Sequence, residues 1–255
     1  MIRQCYMCAG LRPKFSAFAE RWGLRPYGDS SRPAVFYGVY GDANLNALRR
    51  HRGLAVVVWC GTDAQMNAER PLFRQPHMRN VATSRYHARR FGRLGLRWKR
   101  LNLLGSPADD LEACDLGDEV YAYAPSHRPR EYGRPAVLRA RAALEQKGIR
   151  MTLTDSARQL SREGVVEAYR RAFVGIRLTS HDGAAASALE LGLMGRRSIC
   201  NGDAPCCVPW KNEAELVSLV IAERDRGPAD AAETAEATRG FLQTSPEWLD
   251  EEFWR

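Results

Sequence analysis

Short β-branched or aromatic runs alternate with amphipathic stretches along most of the 255-residue chain. This rhythm predicts parallel α/β units. In the front half, strands are expected at Ile2–Met7, Ala34–Tyr40, Leu54–Cys60, Asn80–Thr83 and Trp98–Leu103, with helices at Pro13–Trp22, Ala43–His51 and Arg85–Leu94. Val56, Val57 and Val58 read as a strand buried on both faces, and Gly53 ahead of them suits a helix stop. From Gly105 to Asp118 the residues turn small and acidic, which marks a boundary, and then a second series begins. Its strands are expected at Glu119–Ala124, Arg150–Thr154, Phe173–Leu178 and Arg197–Cys200. Its helices are expected at Pro135–Lys147, Glu163–Arg171, Ala184–Leu193 and Glu213–Glu223, with Pro135 suited to a first helical position. The pattern divides the chain into lobes over 1–104 and 105–228 and a polar helical tail over 229–255. Trp248, Phe253 and Trp254 favour a tail that docks on the body.

Composition adds limits. With 45% hydrophobic and 27% charged residues the chain fits a globular protein with a real core. No apolar run approaches the roughly 18 residues of a membrane span, and the N-terminus has no signal-peptide pattern, so a cytoplasmic protein is expected. Seven scattered cysteines argue for reduced thiols. Cys5, Cys8, Cys206 and Cys207 could supply four thiolates to zinc only if the termini met, and no zinc-ribbon spacing is present.

The net charge of +8 conceals a division. Residues 1–104 hold 19 Lys or Arg against 5 Asp or Glu, or +14, and residues 105–255 hold 19 against 25, or −6. Genome-wide arginine bias would raise both halves alike. The split therefore favours a polyanionic partner for the front half, nucleic acid or an anionic membrane surface.

The segment with most chemistry runs from Phe173 to Gly195: a strand, the turn Ser180-His181-Asp182-Gly183, and a helix opening with Ala184, Ala185, Ala186 and Ser187. Turns at the carboxyl ends of strands are where open α/β sheets bind ligands. Small residues let the free N–H groups of the helix start approach a diphosphate. Glu190, further along, can accept both hydroxyls of a ribose. Helix packing alone accounts for each residue singly; their order carries the reading. A basic loop follows the strand Glu119–Ala124, where Arg128 and Arg130 can neutralise a diphosphate.

This order resembles the donor-binding half of GT-B glycosyltransferases, in which a glutamate on such a helix holds the nucleotide ribose. The resemblance implies an α/β fold of two Rossmann-like lobes facing a central cleft, with the C-terminal helical tail added. It assigns donor binding to Arg128, Arg130, His181, Asp182, Gly183, Ala184 and Glu190. In the front lobe, Gly61-Thr62-Asp63 is similar to a turn at the cleft of many GT-B enzymes. More weakly, Thr62-Asp63 is similar to a site in phage DNA glucosyltransferases, where an aspartate serves as base. Asp63 ranks first as acceptor base and Asp42 second. The implied reaction moves a hexose or pentose from a nucleotide-diphosphate sugar, a UDP-sugar by preference, to a hydroxyl. No DxD-like pattern is present, so no obligatory metal or other cofactor is expected.

For the acceptor, the basic front half favours DNA, with Arg49, Arg85 and Arg89 on its phosphates and a hydroxymethylated pyrimidine as the target. Such an enzyme of phage origin would work in the host cytoplasm. A membrane-peripheral enzyme with a lipid-linked or polysaccharide acceptor stays open, as does a non-catalytic nucleic-acid-binding α/β protein.

Overall fold

Short buried strands of four or five residues form the centre of each sheet in the computed structural model, which describes residues 1–8, 11–104, 108, 110–155, 160–179, 185–243 and 245–255, apart from the side chains of 12–15. The chain divides into two units, Met1–Pro107 with Leu242–Arg255, and Ala108–Phe241. The segment expected as a single tail is therefore shared between them.

The first unit contains β1 (Gln4–Met7), α1 (Arg12–Arg21), β2 (Arg25–Pro26), β3 (Ala34–Tyr37), α2 (Asp42–Arg50), β4 (Ala55–Val58), α3 (Thr62–Asn67), β5 (Met78–Ala82), α4 (Arg85–Arg93) and β6 (Trp98–Arg100). Its sheet is parallel in the order β2-β1-β3-β4-β5-β6. β3 and β4 are buried on both faces, as their unbroken apolar runs predict. One face packs Phe36, Val57 and Trp59 against Leu45 and Leu48 of α2, Ala64 of α3 and Phe91 of α4. On the other, Tyr37, Val56 and Val58 meet Phe18 of α1 and Trp248 and Trp254 of the C-terminal segment. Those tryptophans are among the largest fully buried side chains, and the Trp254 indole N–H donates to the Trp248 carbonyl at 2.6 Å.

The second unit contains β7 (Glu119–Tyr123), α5 (Arg134–Glu145), β8 (Met151–Thr154), α6 (Arg162–Arg170), β9 (Ala172–Ile176), α7 (Ala186–Leu193), β10 (Arg197–Ile199), β11 (Cys207–Val208), α8 (Leu216–Arg226) and α9 (Ala231–Phe241). The order β11-β10-β9-β7-β8 is again parallel. Val120, Ala122, Val174 and Ile176 pack with Val137 of α5 and Val220 of α8. On the opposite face Tyr121 meets Tyr169 of α6, and Gly175 lets Leu191 of α7 come so close that a Cβ there would lie 2.5 Å from it.

Both units thus have the doubly wound α/β form expected from the alternating pattern. In each, strand order reverses beside the first strand of the sheet in chain order. At such a reversal neighbouring crossovers leave on opposite faces, which opens a crevice at the carboxyl ends of the strands.

Candidate functional site

In the second unit the reversal lies between β7 and β9, and polar side chains gather at their carboxyl ends. Arg177, the first residue after β9, sets its guanidinium 5.1 Å from the ring centre of Tyr123 and 5.2 Å from that of Tyr132. The two rings meet edge to face, so the cation rests on an aromatic corner. Arg134, opening α5, donates to Asp155 at 3.2 Å and to the Ala124 carbonyl. Asp155 also accepts from the Ser126 backbone N–H at 3.0 Å, tying the loop after β7 to that after β8. Gly133 is left-handed, with φ 57°, and a Cβ there would stand 2.8 Å from Leu178 Cβ. Thr179 is buried, and its hydroxyl has no hydrogen-bond partner among the described residues.

Glu190 is 5% exposed on α7, so it is a buried carboxylate and no solvent-facing helix former. Arg162 donates to one carboxylate oxygen at 2.8 Å, and the Tyr169 hydroxyl donates to the other at 2.6 Å. Arg162 also makes a two-pronged contact with Asp110, at 2.8 and 2.9 Å. Partnership with these two carboxylates raises the Arg162 pKa against the desolvation that opposes it. The Asp110 pKa is lowered, chiefly by its hydrogen bonds from Arg162. Burial first, then the neighbouring Glu190 charge, pushes the Tyr169 hydroxyl well above its ordinary value, so it stays a donor. The Glu190 carboxylate is thereby fixed in orientation.

His181, Asp182, Gly183 and Ala184 lie outside the described residues. Arg128 is exposed, 3.3 Å from Glu131, and Arg130 is exposed on the same loop.

In the first unit Asp63 has no exposed surface. Its carboxylate accepts backbone N–H groups of Val39 at 3.0 Å, Cys60 at 3.0 Å and Ala64 at 3.0 Å. Burial lifts its pKa from 3.8 to about 6, and the hydrogen bonds from Val39, Cys60 and Ala64 restrain that rise. The side-chain amides of Asn44 and Asn67 donate to the Gly38 and Val39 carbonyls. These groups stitch together the turns that leave β3 and β4. Asp42 differs: it is exposed in the first turn of α2, directly beyond the end of β3. Arg49 is exposed and donates to Asn46 at 2.8 Å, and Arg85 and Arg89 are exposed on α4.

Sequence reading missed Arg162, Tyr169, Asp110 and Arg177. Arg177 left a signal, a lone cation closing an apolar strand; the other three look like ordinary helix or loop residues. Among the described residues no group of three or more His, Cys, Asp or Glu is placed to hold a metal ion. None of the described helices is long and apolar enough to cross a membrane.

No protein-family model matches the sequence, and no curated protein matches it. Solved structures do resemble it. Sucrose-phosphate synthase from Thermosynechococcus elongatus matches with a TM-score of 0.60 at 10% identity, over 90% of this chain and 72% of that one. A trehalose-6-phosphate synthase, studied for glycosyltransfer with retention, matches with a TM-score of 0.58 at 10% identity, over 89% and 72%. The pneumococcal O-GlcNAc transferase GtfA, in complex with UDP and GlcNAc, matches with a TM-score of 0.55 at 13% identity. That match covers 93% of this chain and only 57% of GtfA. At such identities the likeness establishes the fold: two Rossmann-like units of the GT-B architecture.

Proposed function

We propose that this protein is a glycosyltransferase that moves a sugar from a nucleotide-diphosphate sugar, a UDP-sugar by preference, to a hydroxyl of a hydroxymethylated pyrimidine in DNA. The observation that carries the donor reading is the buried Glu190 carboxylate, oriented by Arg162 and Tyr169 on the helix that follows β9. In this reading the carboxylate accepts the ribose hydroxyls. Arg177, with Arg128 and Arg130, neutralises the diphosphate as it leaves, where positive charge lowers the barrier most. His181, Asp182, Gly183 and Ala184 complete the donor site around the sugar and phosphates. The GT-B fold, and the UDP and GlcNAc held by one neighbour, support this reading.

As the acceptor oxygen attacks the anomeric carbon, its proton needs a base. Asp42 has the open surface for that role. Asp63, whose oxygens already hold three backbone N–H groups, acts as a positioning residue for the turns around it. The excess of 19 basic over 5 acidic residues in 1–104 supports a DNA acceptor.

The test is a panel of nucleotide sugars offered with hydroxymethylated DNA, followed by mass analysis of the released nucleosides. A mass increase of one glycosyl unit on the modified pyrimidine is expected, and it should vanish in Asp42→Asn while UDP binding persists. Transfer to a lipid extract with none to DNA would replace the acceptor. No transfer and no nucleotide binding would remove the enzyme reading.

A further inference from the structure

The stretch from Arg70 to Ala108 contains ten Lys or Arg and no Asp or Glu, and the fold turns part of it into a surface. α4 faces the core through His87 and Phe91. Its outward side carries Arg85, Arg89 and Arg93, all exposed. Four-residue spacing stacks them on one side of the helix in steps of about 6 Å, a ladder about 12 Å long.

The edge strand β6 continues the surface. Its register pairs Trp98 with Asn80 and Arg100 with Ala82. Asn80 accepts from the Trp59 indole at 3.0 Å, and Ala82 packs with Phe91, so both lie on the sheet face that α4 covers. Side chains alternate along a strand, so Trp98 and Arg100 emerge on that same face. Lys99 turns to the other face, where its ammonium lies 4.2 Å from the Phe253 ring centre. Trp98 is 37% exposed, one of few large apolar side chains among the described residues that are. An exposed indole on the same strand face as Arg100 offers a ring on which a base can stack, and a guanidinium fork suits phosphate oxygens. A lipid-docking helix would turn an apolar stripe outward. α4 turns its apolar stripe inward.

We propose that the α4–β6 face is a docking strip for the phosphodiester backbone of nucleic acid, with Arg85, Arg89, Arg93 and Arg100 on the phosphates and Trp98 stacking on an unpaired base. The strip deepens the DNA-acceptor reading and rests on that part of it alone. Arg49, on α2, is not part of it.

The test uses the full chain, a labelled 20-nucleotide oligothymidylate and a duplex of the same length, with fluorescence anisotropy over a series of KCl concentrations. The triple variant Arg85→Gln, Arg89→Gln, Arg93→Gln is compared with a charge-matched control, Arg3→Gln, Arg25→Gln, Arg32→Gln. In the triple variant the slope of log affinity against log salt should become shallower by about 2 to 3, at about 0.7 to 0.9 for each phosphate no longer neutralised. Trp98→Ala should weaken oligothymidylate binding about tenfold without changing the slope. Equal behaviour of triple variant and control overturns the strip. So does wild-type protein that ignores both oligonucleotides and sediments with vesicles of 30% phosphatidylserine. Thermal stabilisation by UDP, measured on the same preparation, separates the two claims. UDP stabilisation without DNA binding removes the strip and leaves the donor reading; DNA binding without UDP stabilisation does the reverse.

Discussion

Arg196 has no exposed surface, and its guanidinium rests on a cage of backbone carbonyls. Its guanidinium donates to the carbonyls of Tyr169 at 3.2 Å, Arg170 at 3.1 Å, Ala172 at 3.2 Å and Cys114 at 2.9 Å, and to those of Asp115 and Met194. Several of these belong to the C-terminal ends of α6 and α7, where helix dipoles favour a cation. Other backbone N–H groups also reach Tyr169, Ala172 and Met194, which leaves Cys114, Asp115 and Arg170 most dependent on the arginine. Arg196→Met would strand those carbonyls. At about 1 to 3 kcal/mol for each buried acceptor left without a donor, partly offset by no longer desolvating a guanidinium, the net loss should be about 3 kcal/mol. For a unit of this size that lowers Tm by about 10 °C. Scanning calorimetry measures it, and hydrogen exchange should show lost protection around 114–117. Arg196→Lys should recover less than half, because one ammonium cannot span carbonyls on both sides of a planar fork. A melting temperature within about 2 °C of wild type in Arg196→Met would refute the reasoning.

The remaining predictions concern the site and its frame. Tyr169→Phe removes a 2.6 Å hydrogen bond to a buried carboxylate and should cost about 2 kcal/mol in urea unfolding, with UDP binding weakened several-fold by calorimetry; unchanged values for both would deny the hydroxyl its role. Asp63 has a folded pKa near 6 against 3.8. The native state therefore holds that proton more tightly, and its stabilising contribution is full below pH 3.8 and lost as pH rises through about 6. Relative to Asp63→Asn, wild type should lose about 2 kcal/mol between pH 4 and pH 7, and a pH-independent difference would contradict this. Gly133→Ala combines a left-handed φ with a crowded Leu178, so it should lower stability by about 2 kcal/mol in the same assay.

The elements legible in the sequence were those whose burial is uniform. Val56, Val57 and Val58 can only suit a strand covered on both sides, and the Phe173–Ile176 run behaves the same way. β2, with two residues, exists because Arg25 and Pro26 pair with Gln4 and Cys5, a tertiary fact without a local pattern. α3 spans six residues, too few for a helical period to register. Chain order alone singled out Glu190, on the helix after β9, and Arg128, in the loop after β7, as candidates. It gives no hint where burial decides. Arg162 and Arg196 look in sequence like exposed arginines, and only packing turns them into a carboxylate clamp and a bridge between helix ends. Asp63 shows the converse: its Gly-Thr-Asp turn invites a chemical role, and its carboxylate is occupied by backbone N–H groups.

The most direct measurement is binding of UDP and UDP-sugars by isothermal titration calorimetry, in wild type and in Glu190→Ala. Wild type should bind, and the variant should lose that binding while keeping a cooperative melt. Wild type that binds no nucleoside diphosphate or nucleotide sugar, or a variant that binds UDP as tightly as wild type, would contradict the assignment of Glu190 as the ribose-holding residue of a donor site.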